Sequence, residues 1–336
     1  MLALFTRLGV NKSKPRYRGE IVAAARMYQA SSNGQYLLGM NMKKLITAAF
    51  LMALACISYG QQWRVDRNVV IGMVSGLALT MDVHYPESPN GYGIVFIAGS
   101  GFTRSLSYDA RPLTESFQRY GTPILDAGYT VFALNHRATP RFKYPDPVLD
   151  VQRAVRFIRF NAKQYGISAD AIGATGHSSG GQLAALLGVL DGAGDNEDPD
   201  PVNKVSAKVQ SVVLRAPNIE IATINTETST PLITLFMNTR PNQKLSIEET
   251  RRFKEAIPTT HVTEDDAPTL LLHGSADDIV PQGHSESFYA ALVKAGVNSR
   301  LLIIEGGGHS ADFRGAINPP DINKEINSWF DSTLRN

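Results

Sequence analysis

The chain has 336 residues, 43% of them hydrophobic and 19% charged, which excludes a disordered chain and allows one large α/β domain or two small ones. Its single cysteine, Cys56, excludes an intramolecular disulfide and any cysteine-built zinc site. The formal charge of +2 hides a split: residues 1–60 hold eight Lys/Arg and one acid, leaving 25 basic and 30 acidic residues in 61–336. A basic face for nucleic acid is therefore not expected.

Residues 1–41 are polar and unpatterned, an N-terminal extension that a start codon assigned too far upstream would explain, with Met40 or Met42 as the true start. Residues 42–60 follow the signal-peptide pattern. Lys43 and Lys44 form a positive head, Leu45 to Ile57 an apolar run, and Ser58 and Gly60 put small side chains before a cleavage at Gln61. That run is short of the roughly 20 residues a bilayer span needs, so no stable membrane anchor is expected. A lipoprotein reading of Cys56 is weakened by Ala53, where a large aliphatic residue is expected. The mature domain, 61–336, is predicted to be secreted or periplasmic.

From Gln61 onward strands alternate with helices, the signature of a doubly wound, mostly parallel α/β sheet of eight strands with helices on both faces. Strands are predicted at Trp63–Ile71, Ala78–Tyr85, Gly93–Ala98, Tyr129–His136, Ala171–Thr175, Val209–Arg215, Thr269–His273 and Arg300–Glu305. One helix is expected over Leu113–Ala127. Another spans Pro147–Tyr165, with Arg153, Arg156 and Arg159 on a polar face opposite Val148, Val151, Val155, Ile158 and Phe160. Further helices follow at Gly283–Ala295 and Ile322–Leu334. The acidic stretch Asp191–Pro201 lacks a calcium-ligand spacing and reads as a solvated loop. Ile221–Thr260 breaks the strand–helix rhythm and is expected to be a small cap insertion.

The sharpest chemical signal is Gly176-His177-Ser178-Ser179-Gly180-Gly181, set between the strand AIGAT and the helix QLAALLGVL. That is the context of a nucleophile elbow, where a tight strand-to-helix turn projects a serine and leaves no room for side chains two residues either side. Ser178 is favoured over Ser179 because Gly176 and Gly180 flank it symmetrically. A serine needs a base and an orienting acid. In such a fold these follow in the order acid, then histidine. Asp277, four residues past His273 in HGSADDIVP, is preferred to Asp278, and His309 in EGGGHS supplies the base. His261 and His273 come too early for that role, and His284 reads as a helix-surface residue. The loop after the third strand, Ala98 to Phe102, offers backbone N–H groups of Ser100 or Gly101 to join that of Ser179 in an oxyanion hole. Topology alone puts Arg104, Tyr108 and parts of the cap insertion at the pocket.

From about Gly91 onward the chain resembles the carboxylesterases, acetyl-xylan esterases and feruloyl-esterase-like members of the α/β-hydrolases, akin to the hormone-sensitive-lipase-like esterases. The resemblance rests on LNHRATPRFKYPDPVLDVQRAVRFIRFNAKQYGISADAIGATGHSSGGQLAALLG, PTLLLHGSADDIVP and IEGGGHS. It implies an α/β-hydrolase fold and hydrolysis of a small-molecule or carbohydrate ester through an acyl-enzyme, with no metal or cofactor. Where that family often carries His-Gly-Gly-Gly, this chain has Ala98-Gly99-Ser100-Gly101. A lipase or polyester hydrolase, a prolyl-oligopeptidase-like peptidase and a catalytically inert binding module remain the other readings of the same blocks.

Overall fold

The computed structural model describes residues 63–107, 111–221, 229–240 and 244–335. The extension expected over 1–41, the signal segment over 42–60 and Tyr108 lie outside the described residues. Eight strands form one sheet: β1 (Val65–Val74), β2 (Leu77–His84), β3 (Gly93–Ile97), β4 (Thr130–Asn135), β5 (Ile172–His177), β6 (Ser211–Arg215), β7 (Thr269–Gly274) and β8 (Ser299–Ile304). Their order across the sheet is β1-β2-β4-β3-β5-β6-β7-β8. β2 runs antiparallel to β1 and β4, and every other neighbouring pair is parallel. The expected architecture holds, with strand boundaries moved by a few residues.

Both faces of the sheet are buried, which is why its strands read as near-continuous apolar runs. All of β3 is buried. In β4, Phe132 and Leu134 enter the core that also holds Val151 and Leu183, whereas Val131 and Ala133 enter the other with Ile326 and Phe330. The period of two therefore sorts one strand between two layers of helices. The longer helices are α1 (Asp146–Phe160), α2 (Ser179–Val189), α3 (Ser229–Met237), α4 (Ile247–Ala256), α5 (Gly283–Ala295) and α6 (Ile322–Leu334). Because β3 to β8 are parallel, the loops after β3, β5, β7 and β8 all leave from one edge of the sheet, where ligands bind in such folds.

Two expectations need correction. Leu113–Ala127 is not one helix but a 3-10 turn, Leu113–Ser116, followed by the short helices Phe117–Tyr120 and Thr122–Asp126. The break has a cause at each side. A Cβ at Gly121 would stand 2.1 Å from the Phe117 ring, and Pro123, lacking an N–H, starts the next helix rather than continuing the last.

Nor is Pro147–Tyr165 one helix: α1 ends at Phe160, and a separate helical turn follows over Ala162–Tyr165. Phe160 is exposed and not on the apolar face, while the polar face of α1 bonds protein groups. Arg153 donates to the Ile71 carbonyl at 2.8 Å and pairs with Asp200 at 2.7 Å. Arg156 reaches the Val205 and Ala193 carbonyls, and Arg159 those of Ala169, Ser206 and Lys208. These arginines tie the acidic segment and the chain entering β6 to the back of the sheet. Asp191, Asp195, Asp198 and Asp200 each accept from a backbone N–H two residues on, so the segment is a run of side-chain-closed turns.

The insertion between β6 and β7 carries α3 and α4. Helix α4 begins with a capping box in which Ser246 and Glu249 exchange side-chain-to-backbone hydrogen bonds. Helix α3 lies against the loop after β3: the rings of Phe236 and Phe102 stack with centroids 3.9 Å apart, and Leu232 packs on Gly101. The insertion thus has the place of a cap.

Candidate active site

Ser178 sits between β5 and α2 with φ 54° and ψ −123°. A non-glycine residue pays about 1–3 kcal/mol for such a conformation. Its own backbone helps to hold the turn: Ser178 N–H donates to the Arg215 carbonyl of β6 at 3.0 Å, and its carbonyl accepts from Gln182 in α2. The flanking glycines are there for space. A Cβ at Gly176 would lie 2.2 Å from the Gly180 carbonyl oxygen, and one at Gly180 would lie 2.2 Å from that of Ile97.

The loops after β7 and β8 bring two further groups to this serine. Ser178 Oγ is 2.9 Å from His309 Nε2, and His309 Nδ1 is 2.7 Å from Asp277 Oδ2. A carboxylate only accepts, so Nδ1 carries the ring proton and Nε2 turns its lone pair to the serine hydroxyl. The Asp277 side chain is fully buried. Burial would raise its pKa, but hydrogen bonds from His273, His309 and the Val280 N–H outweigh that and hold it well below the usual carboxylate range. Oδ1 takes the N–H groups of Ile279 and Val280 at 3.0 and 2.8 Å. Asp278 is exposed and outside this chain of bonds.

Ser179 has a different part from the nucleophile. Its Oγ accepts the Ser100 N–H at 2.9 Å, fastening the loop after β3 to the elbow. That N–H, one of the expected oxyanion donors, is therefore engaged by the protein itself. The N–H groups of Gly101 and of Ser179, in the first turn of α2, make no hydrogen bond among the described residues. Gly101 adopts φ 61°, a conformation that glycine takes without penalty. Arg104 lies farther along the same loop, in the wall of a cavity whose lining does not include Ser178.

Several contributors escaped the sequence reading. His177 Nε2–H donates to the His309 carbonyl at 2.7 Å, steadying the loop that carries the base. Burial pushes its pKa down to about 3, so the ring stays neutral. His273, at the end of β7, donates from Nε2 to the Val280 carbonyl at 2.8 Å and lies 3.3 Å from Asp277 Oδ2, while Ser285 bonds its Nδ1 at 2.7 Å. It bonds Ser285 and Val280, lies beside Asp277, and makes no hydrogen bond to Ser178. Arg215, in register with His177 on the next strand, is buried with Nε and Nη2 unpaired, and burial lowers its pKa to about 10. His284 is not a surface residue: it is buried, and its Nδ1 accepts the Glu220 N–H at 3.0 Å because the start of α5 packs against the chain leaving β6.

Known proteins share this arrangement of chain. A truncated carbohydrate esterase from gut microbiota is similar with a TM-score of 0.67 and 25% identity, over 81% of this chain and 97% of that one. The acetyl ester-xyloside bifunctional hydrolase from Caldicellulosiruptor lactoaceticus is similar with a TM-score of 0.63 and 26% identity, over 79% and 95%. Esterase LipQ of Mycobacterium tuberculosis is 29% identical over 52% of this chain and 40% of its own length. The chain spans less than half the length of the curated relatives it matches most strongly. Residues 81–292, more than half of the chain, match the BD-FAE family model, and with its α/β-hydrolase sheet the chain belongs to the BD-FAE family.

Proposed function

We propose that this chain is a serine carboxylic-ester hydrolase acting through an acyl-enzyme on short-chain acyl esters, such as those of acetylated or feruloylated carbohydrate. The observation that carries the reading is the unbroken chain of hydrogen bonds from Ser178 Oγ through His309 to Asp277 at a glycine-flanked elbow. As Ser178 Oγ bonds to the ester carbonyl carbon, His309 Nε2 takes its proton, and Asp277 stabilises the imidazolium. The carbonyl oxygen becomes an oxyanion that the N–H groups of Gly101 and Ser179 receive, each donor contributing about 3 kcal/mol to the barrier reduction. The alcohol leaves with the proton from His309. Water, deprotonated by the same ring, then attacks the acyl-enzyme and releases the acid.

The names of the carbohydrate esterase and the acetyl ester-xyloside hydrolase support a carbohydrate ester as substrate. Helix α3 supports a short acyl limit, since its Leu232 packs on Gly101, the proposed oxyanion donor. We place the enzyme's work outside the cell, after cleavage at Gly60–Gln61, and N-terminal sequencing of exported protein is expected to begin at Gln61. For the activity, hydrolysis of 4-nitrophenyl acetate, butyrate, octanoate and laurate is expected to fall with chain length, with acetate released from acetylated xylan. Laurate hydrolysed as fast as acetate would replace this reading with a lipase.

A further inference from the structure

At the same edge of the sheet as the elbow, a cavity of about 400 Å³ opens between the start of β2, the loop after β3 and the loop after β4. Three arginines line it, Arg104, Arg137 and Arg141, with no Asp or Glu among the described lining residues. Their charges are not equivalent. Arg137 is neutralised by Asp146 at 2.9 Å and Asp150 at 2.7 Å. Among the described residues, Arg104 bonds only neutral oxygens, Asn135 Oδ1 and the His136 carbonyl, and its buried Nε has no partner there. Arg141 is exposed and has no ion pair among the described residues. Among the described residues, the cavity therefore presents two cations that no carboxylate compensates.

A half-buried guanidinium without a counter-charge is costly, and burial lowers the pKa of Arg104 accordingly. Its position is nevertheless held firmly. Arg104 N–H donates to the Thr139 carbonyl at 3.0 Å, Thr103 bridges Thr139, and Nη2 is pinned by Asn135. A fork fixed in this way loses little freedom on meeting a planar anion. Arg104 stands three residues beyond Gly101, the proposed oxyanion donor. Those residues span at most roughly 10 Å, about the reach of one or two sugar units from the reacting carbonyl.

We propose that this cavity is an anion subsite in which Arg104 and Arg141 take a carboxylate carried on the alcohol part of the ester, as on a uronate-bearing carbohydrate. The proposal rests on the esterase reading and adds the charge of the substrate to it. A carboxylate paired here gains charge-assisted hydrogen bonds that a neutral sugar lacks, about a tenfold difference in kcat/KM.

The test compares mono-acetylated methyl glucuronide with mono-acetylated methyl glucoside by acetate release. The wild-type chain is expected to favour the glucuronide about tenfold at low salt, the preference shrinking as sodium chloride is raised. Arg104→Gln and Arg141→Ala should each lower that ratio toward one. Arg141 is exposed, so its variant carries the comparison should Arg104→Gln fail to fold. Equal rates on the two esters, or a preference that both variants retain, overturns the subsite while leaving the esterase reading intact. If neither ester nor 4-nitrophenyl acetate is cleaved, the esterase reading fails and titration of methyl glucuronide itself decides the subsite. Binding that Arg141→Ala weakens upholds it, and no binding by the wild-type chain overturns it.

Discussion

At the residue scale, Asp277 and Asp278 stand side by side with unlike surroundings. Asp277 is fully buried and accepts from His309, Ile279 and Val280, whereas Asp278 faces solvent. Asp277→Asn keeps the shape but presents an amide to Nδ1, favouring the wrong imidazole tautomer; kcat is expected to fall roughly 10⁴-fold. Asp278→Asn is expected to change it less than about threefold. Steady-state kinetics of the two variants checks this, and a similar loss in both would reassign the acid. That Asp277 and not Asp278 meets His309 was legible from four-residue spacing after His273, because a strand end and a tight turn fix where the next side chain points. The bracing of Asp277 by His273 was not legible, since it depends on the chain folding back from Val280 to the end of β7. Nor was the capture of Ser100 N–H by Ser179, a contact between residues 79 positions apart.

At the element scale, strands were readable because a strand buried on both faces leaves an uninterrupted apolar run, as in GIVFI. Helices α5 and α6 were readable at both ends. Glycine 296, in the left-handed region at φ 83°, closes α5, and Asp321 caps α6 by accepting the Lys324 N–H. The partners of the arginine row of α1 were not legible, for a physical reason. Helical periodicity marks a polar face but does not distinguish water from backbone carbonyls as its partners. Arg159 holds the Ala169, Ser206 and Lys208 carbonyls and Gln210. Arg159→Ala removes several charge-assisted bonds at once, for a loss of about 3 kcal/mol. The corresponding fall in melting temperature is roughly 6–12 °C. A change under about 2 °C in a thermal scan would show that the segment before β6 is held by its own turns instead.

At the scale of the whole molecule, the fold buries histidines in neutral form. Burial lowers His84 and His284 to about 4 and His177 to about 3, all from an ordinary 6.5. Each binds its proton more readily in the unfolded chain, so the stability they allow is complete above about pH 6.5 and is lost as pH falls toward 4. Burial lowers His136 in the same way, whereas Asp266, raised by burial, works in the opposite sense, one group against four. Asp277, held low, stays ionised throughout that range and adds its own loss only below its unfolded value near 4. The melting temperature is therefore expected to be level between pH 8 and 6.5 and to drop between 6 and 4.5. A level profile down to pH 4.5 would contradict the neutral burial of these rings.

These scales meet at Ser178, where an elbow built by two glycines, His309 from the loop after β8 and Asp277 from the loop after β7 converge. The most direct measurement is kcat/KM for 4-nitrophenyl acetate with the wild-type chain and with Ser178→Ala, both verified as folded by circular dichroism. The account predicts clear hydrolysis by the wild type and a loss of at least about 10³-fold in the variant. Equal rates in the two proteins, or a wild-type chain no faster than buffer on this ester, would contradict it.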